Sequence, residues 1–203
     1  MDSRTSLKFG PFGPRTIHLC IDMQTVFAER TDWHVPWLER ILPEVERIAS
    51  RRARQTIFTR FVPPASPEQM PGAWQRYYSR WRHMTREHLD PGLVDVVPPL
   101  RALIPPAIMI DKHHYSPFAE PGLPRLLRER GIDSLVITGG ETDVCVLATV
   151  LGAVDCGYRV VLGADALCSV SDLMHDAVLA LYRERFSQQI ETASIEEILA
   201  NWR

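Results

Sequence analysis

The sequence predicts an α/β fold: a Rossmann-like, doubly wound, mainly parallel sheet of about six strands flanked by helices on both faces. Three observations carry this expectation. Near-continuous apolar runs, of the kind that suit strands covered on both faces, recur along the chain. Segments with apolar residues three and four apart separate them, so strands alternate with helices as in βαβ units. The chain has 203 residues, 45% of them hydrophobic, enough for one sizeable core. It shows no internal repeat, low-complexity tract or second-domain linker, so residues 1–203 are read as a single domain.

The strands are expected at "TIHLCID" (16–22), "TIFTRF" (56–61), "AIMID" (107–111), "SLVITG" (134–139) and "RVVLGA" (159–164), with a weaker sixth at "FSQQIET" (186–192). The first helix has Leu38, Ile41, Leu42, Val45 and Ile48 as its stripe, and Pro43 kinks it or marks its first turn. Leu123, Leu126 and Leu127 form a second stripe that ends at Gly131. Val146, Leu147, Val150 and Val154 form a third. Met174, Ala177, Val178 and Leu181 form a fourth. The stretch 62–106 is irregular: it runs from "VPPASPEQMPG" through "AWQRYYSRWRHMTREH" to "VVPPLRALIPP", too long for a simple loop and expected to hold a helix near 73–87.

A formal net charge of −2 gives no electrostatic reason to expect nucleic acid or an anionic membrane as partner. No apolar run approaches a membrane span, and the start "MDSRTSLKFGPFGPRT" has no signal-peptide core, so a cytoplasmic protein is expected. The four cysteines, Cys20, Cys145, Cys156 and Cys168, have neither CxxC pairing nor zinc-ligand spacing and read as free thiols. Cys145 alone has an unusual address, in the first turn of the helix that follows "ITGGETD".

In an open α/β sheet, ligands sit outside the carboxyl ends of the strands. Asp22 closes the first strand, Lys112 the third, and Cys145 follows the fourth, so three strands bring a carboxylate, an ammonium and a thiol to one edge. A thiolate attacks acyl carbon, and a helix N-terminus with a nearby cation lowers the thiol pKa. A carboxylate beside it can take the thiol proton and later activate water. Unpaired N–H groups of the first turn suit a developing oxyanion.

Asp22 in "IDMQTVF", Lys112 in "KHHYSPF" and Cys145 in "GGETDVCV", in that order, resemble the isochorismatase-like cysteine hydrolases over roughly residues 15–192. The resemblance implies Cys145 as nucleophile, Asp22 as general base, and Lys112 holding both in register. It implies a thioester intermediate, a cis peptide at Gly140–Glu141, and an oxyanion hole made by the backbone N–H groups of Glu141 and Cys145. Two departures stand out. The residue before Glu141 is commonly branched and apolar in the family and is Gly140 here. The nicotinamidase branch carries an Asp-x-His pair and a further histidine for a metal after the second strand, where this chain reads "TRFVPPASPEQMPGAW" with no histidine. Asp32-Trp33-His34 follows the first strand instead. No metal and no other cofactor is therefore expected.

Gln24, Phe27, Tyr115 and Phe118 are expected to line the pocket, together with Trp74, Tyr78 and Trp81. Trp74, Tyr77, Tyr78 and Trp81 recur at helical spacing among Arg76, Arg80, Arg82 and Arg86. Such a stripe packs on the domain or a second subunit, or walls the site, with an arginine gripping a substrate carboxylate. His113 and His114 read as loop residues, and His83 and His175 as surface positions.

The leading functional expectation is a metal-independent cysteine hydrolase cleaving a C–N bond in a small amide, carbamoyl or ureido compound. The alternatives are an enol-ether hydrolase of the isochorismatase type, or a non-catalytic binding or assembly domain. A nucleotide-binding Rossmann protein is disfavoured, because "DMQTVF" stands where GxGxxG would follow the first strand. The expected partners are a small-molecule substrate and further copies of the chain, as a dimer or tetramer.

Overall fold

The structure is a computed structural model that describes residues 7–202. The first six residues of the chain start and Arg203, all within the expected 1–203 domain, lie outside the described residues. Six strands, β1 (Thr16–Ile21), β2 (Thr56–Phe61), β3 (Ile108–Lys112), β4 (Ser134–Gly140), β5 (Arg159–Cys168) and β6 (Ile190–Ala193), form one sheet in the order β3-β2-β1-β4-β5-β6. Every neighbouring pair is parallel. The order runs outward in opposite directions from β1 and β4, so the topological switch point lies between them.

Among the described residues seven α-helices lie between the strands, α1 (Thr25–Ala28), α2 (Leu38–Arg51), α3 (Gly72–Arg80), α4 (Pro98–Arg101), α5 (Gly122–Glu129), α6 (Leu147–Asp155) and α7 (Asp172–Arg185), and α8 (Ile195–Asn201) follows β6. The strand alternation sorts the core into two layers. Ile17, Leu19 and Ile21 of β1 face a layer with Leu123 and Leu127 of α5, Val150 of α6, and Val178 and Tyr182 of α7. Cys20, Phe58, Val136 and Val161 face the opposite layer, with Leu38, Ile41, Val45 and Ile48 of α2 and Ile195 and Ile198 of α8. Pro43 sits inside α2, past its first turn.

Four elements differ from expectation. β5 extends to Cys168. β6 starts at Ile190, because Phe186 closes α7, with its N–H donated to Tyr182 O. The buried face of α7 is His175, Val178, Leu179 and Tyr182, whereas Met174 and Leu181 are exposed. The helix expected over 73–87 ends at Arg80 and gives way to a tight turn at Arg82–Met84. There the Thr85 hydroxyl donates to Arg82 O at 2.6 Å, and the Arg86 N–H donates to Pro64 O at 3.0 Å. The backbone is thus tied to the loop after β2 and cannot continue the helix. Among the described residues no helix is long and apolar enough to cross a membrane.

His18, in the middle of β1, is fully buried. Its ring nitrogens meet Thr56 Oγ1 on β2 at 3.1 Å and Thr138 Oγ1 on β4 at 2.8 Å, which links three adjacent strands. Burial lowers its pKa from 6.5 to about 3, so the folded ring is neutral. Above pH 6.5 both folded and unfolded rings are neutral and the full stability is present. As pH falls below 6.5, the unfolded chain takes up a proton that the folded one refuses until about pH 3, and stability is lost across that window. Urea unfolding at pH 7 and pH 4 is expected to show His18→Gln losing about 3 kcal/mol less than the parent on acidification.

Candidate active site

Asp22 directly follows β1 and adopts φ 49°, a left-handed conformation that Asp tolerates better than most residues. Its N–H donates to Thr59 Oγ1 at 3.1 Å, and the Thr59 hydroxyl donates to Asp22 Oδ1 at 2.6 Å. Lys112 ends β3 in register with Phe61 of β2. Its Nζ lies 2.7 Å from Asp22 Oδ2, with the two side chains 0% and 1% exposed. The same ammonium donates to His114 O at 3.0 Å and stands 4.9 Å from the centre of the Phe61 ring. The pair therefore spans the C-terminal end of β2, which lies between β1 and β3.

The other half of the site hangs on β4. Gly139 pairs with Ile21 of β1 and has φ +103°. A Cβ there would collide with the Ile21 backbone, meeting its N at 2.8 Å, so only glycine lets the strand pass. The Gly140–Glu141 bond is cis. The next residues, Thr142–Val146, form a π-helical turn before α6 begins, where the first turn of an α-helix was expected. The Val146 N–H reaches back to Glu141 O at 3.0 Å. The Thr142 hydroxyl donates to Cys168 O at 3.1 Å and meets His175 Nδ1 at 2.8 Å. The Ser169 hydroxyl donates to Asp143 at 2.6 Å, and the Thr149 hydroxyl to Cys145 O at 2.6 Å. His175, expected at the surface, is thus buried and braces the turn that carries Cys145.

Cys145 is buried, and the Asp22 carboxylate is within hydrogen-bonding reach of its thiol. Burial pushes the thiol pKa up. Lys112 pulls it down, but the Asp22 charge and hydrogen bond push it up again, and the net direction is upward. The direction is opposite to that expected of a thiol lowered by its helix terminus and a cation: burial, the largest effect, together with the Asp22 carboxylate outweighs the cation. Burial alone would depress the Lys112 ammonium, but Asp22 and Cys145 outweigh it and hold Lys112 above the ordinary lysine range. The thiol is thus pushed toward its protonated form beside the Lys112–Asp22 ion pair.

These groups open into a cavity of about 320 Å³ whose wall includes Asp22, Gly140, Glu141 and Cys145. Phe27, Tyr115 and Trp81 line it as expected. Gln24, Phe118, Trp74 and Tyr78 do not. Gln24 is spent on backbone: its amide donates to Phe61 O and Val94 O and accepts from the Phe61 N–H. Phe118 packs on α6, where Gly152 leaves room for its ring. Tyr78 is fully buried beside Tyr77, and Trp74 leans on Tyr115 at a 58° tilt, with ring centres 4.7 Å apart. None of the four arginines of 73–87 lines the cavity. Arg82 pairs with Glu68, Arg86 donates to Pro63 O, and Arg80 lies over Trp81. His113 meets Val62 O and His114 meets Glu120, while His83 is exposed and paired with Asp32.

Tyr77, part of the stripe read as either a packing face or a wall, lines the cavity; sequence reasoning missed Trp33, Phe61, Val144, Cys168 and Val170 as wall residues, and Thr59 as the partner of Asp22. A signal existed for one group: Asp32-Trp33-His34, set aside as a misplaced metal pair, lies on the cavity wall. Among the described residues, no three His, Cys, Asp or Glu side chains are grouped to hold a metal ion.

The fold and site define an open parallel α/β protein with cysteine, aspartate and lysine gathered at its switch point. Residues 16–194 match the isochorismatase domain model, and the chain belongs to the isochorismatase family. It is 33% identical over 111 residues to the ureidoacrylate amidohydrolase RutB of Methylobacterium radiotolerans, a match covering 54% of this chain and 42% of that one. The chain spans about half the length of the curated relatives it matches. A cysteine hydrolase from Pseudomonas syringae pv. phaseolicola superposes with a TM-score of 0.79, 23% identity and 94% coverage of both chains. N-carbamoylsarcosine amidase from Thermoplasma acidophilum gives a TM-score of 0.69 and 17% identity, covering 89% of this chain and 96% of that one. These two likenesses show the fold.

Gly140 departs from the family's branched residue for a local reason. A Cβ at Gly140 would lie 2.8 Å from Cys168 Sγ, on the strand partner opposite. Gly140→Ala is expected to cost about 1–3 kcal/mol. In a Cys168→Ala background the same change should cost less than half as much, a coupling that a double-mutant cycle of urea unfolding measures.

Proposed function

We propose that the protein is a metal-independent cysteine hydrolase that cleaves a C–N bond in a small amide, carbamoyl or ureido compound. The observation that carries this reading is the buried contact of Lys112 with Asp22, 2.7 Å, made directly beside the Cys145 thiol. The names of RutB and of the carbamoylsarcosine amidase, an amidohydrolase and an amidase, support the same bond class.

Cys145 gives its proton to Asp22 as sulfur attacks the carbonyl carbon, and the carbonyl π-electrons move to oxygen. The oxyanion is received by the backbone N–H groups of Glu141 and Cys145. Collapse breaks the C–N bond, Asp22 protonates the leaving nitrogen, and ammonia or an amine departs from a thioester. Water then gives a proton to Asp22 and its oxygen attacks the same carbon. Collapse breaks the C–S bond, the thiolate recovers its proton, and the acid is released. Lys112 remains charged throughout and holds the Asp22 carboxyl and the Cys145 sulfur in register. Self-association belongs to the same proposal: Leu173 and Met174 are exposed at the start of α7, beside Val170 on the cavity wall.

Cys145→Ala is expected to abolish ammonia or amine release without unfolding the chain. Asp22→Asn separates the roles more sharply. It should reduce turnover by about 10²–10⁴-fold, because no acceptor for the thiol proton remains. It removes the charge and hydrogen bond that raise the thiol while Lys112 stays, so the thiolate fraction at pH 7 rises. Alkylation of Cys145 by iodoacetamide, read by peptide mass spectrometry, should therefore accelerate in Asp22→Asn. Slower or unchanged alkylation would rule out Asp22 as the group that holds the thiol proton in place. Dialysis against a strong chelator is expected to leave the parent rate unchanged.

A further inference from the structure

The cavity has a charge pattern that the proposed chemistry does not use. Its wall carries two carboxylates besides Asp22: Asp32 at the rim and Glu141 within. Asp32 is largely exposed and paired with His83 at 2.6 Å. Glu141 is half-buried, and one of its oxygens accepts from the Val170 N–H at 3.3 Å. It shares the cavity wall with Cys145, Tyr77 and Tyr115, and its charge pushes all three of those groups upward. Among the described residues, no lysine or arginine lines the cavity. Lys112 stands behind the wall with its charge matched by Asp22.

Aromatic rings make up much of the remaining wall, beside His34 and the aliphatic side chains of Val35, Leu38, Val144 and Val170. Phe27 and Trp33 stack with centres 6.3 Å apart, Trp33 and Tyr77 likewise at 6.3 Å, and Trp81 meets Trp33 edge-on at 6.5 Å. Ring faces attract cations and offer nothing to a carboxylate. A carboxylate set among such faces, in a cavity that no lysine or arginine lines among the described residues, favours positive charge twice over.

Resting on the reading of the site as an amide-cleaving centre, we infer that its substrate is an organic cation. It is a small amide or urea whose non-reacting end carries an ammonium or amidinium group, held between Glu141 and the Trp33–Tyr77–Trp81 wall. Substrates with a carboxylate at that end are excluded, because among the described residues no arginine lines the cavity to receive it and Glu141 repels it. The upward push on Glu141 from burial, and from Asp143 nearby, agrees with a carboxylate that lacks its counter-charge.

Three para-substituted benzamides that differ in the charge of the distal group test this: 4-(aminomethyl)benzamide, 4-methylbenzamide and 4-carbamoylbenzoate. Their binding to Cys145→Ala protein, by titration calorimetry, is independent of turnover. The ammonium probe is expected to bind about tenfold or more tighter than the methyl probe, and the carboxylate probe more weakly than either. Glu141→Gln, which can still accept from Val170, should bring the ammonium probe down to the affinity of the methyl probe and leave the methyl probe unchanged. Absence of binding by the ammonium probe, equal or tighter binding of the carboxylate probe, or a cation preference that survives Glu141→Gln each overturns the inference. Ammonia release from the same probes by the parent protein reports separately on amide cleavage, so a cation that binds and is never hydrolysed counts against the catalytic reading alone.

Discussion

The site depends on one buried ion pair, Asp22 with Lys112. Taking two charges out of water costs several kcal/mol per ion, which their attraction repays only when the geometry is close and the remaining valences are filled. Both conditions hold. The separation is 2.7 Å. Thr59 serves the second carboxylate oxygen and the Asp22 amide together, and His114 O takes another ammonium proton. Removing either partner would leave the other charge buried and uncompensated. The ends of β1, β2 and β3 are therefore tied to one another by the same contacts that arrange the chemistry.

Cys145 reaches this pair from the opposite side of the switch point, and its placement rests on a separate set of restraints. Gly139 lets β4 run against Ile21, and Gly140 yields its side-chain space to Cys168. Thr142, Asp143 and Thr149 then tie the π-helical turn to the segment after β5, to His175 of α7 and to α6. Each polar group in this brace bonds to a neighbour in the fold, so none competes for a ligand. The two halves of the site thus come from opposite sides of the β1–β4 seam and are held by independent networks. This suits a centre whose thiol must keep one distance to a fixed carboxylate.

Much of the fold was legible in the sequence because its signals are local. Buried parallel strands read as apolar runs, and the three polar residues at strand ends were visible as interruptions of those runs. The pocket wall was much less legible. Gln24 sits two residues from Asp22 and seemed bound to face the ligand, but the backbone of the loop from 94 and of Phe61 claimed it. Phe118 was drawn away by the space over Gly152, and Tyr78 by the interior. Trp33 was in view yet carried no periodicity, because it belongs to a loop whose path depends on contacts far along the chain. The direction of the Cys145 shift was misread for a related reason. Helix termini and nearby cations can be read from a sequence, whereas full burial beside a carboxylate is a property of the packed site.

That correction changes how the proposed reaction should be pictured. A buried site with little water resists any step that creates net charge. A resting thiolate with Asp22 ionised would place two anions against one ammonium. A neutral thiol avoids that. In the proposed first step, proton transfer to Asp22 moves the negative charge from oxygen to sulfur, and attack moves it on to the oxyanion at the backbone N–H groups. At every stage one anion faces the Lys112 ammonium, and only its location changes. The raised thiol is then no obstacle to catalysis, since the thiolate forms only as bond formation draws its charge away. In the proposed reaction Lys112 supplies the field within which that single negative charge migrates, so the ion pair that ties the ends of β1–β3 together would also set its electrostatics.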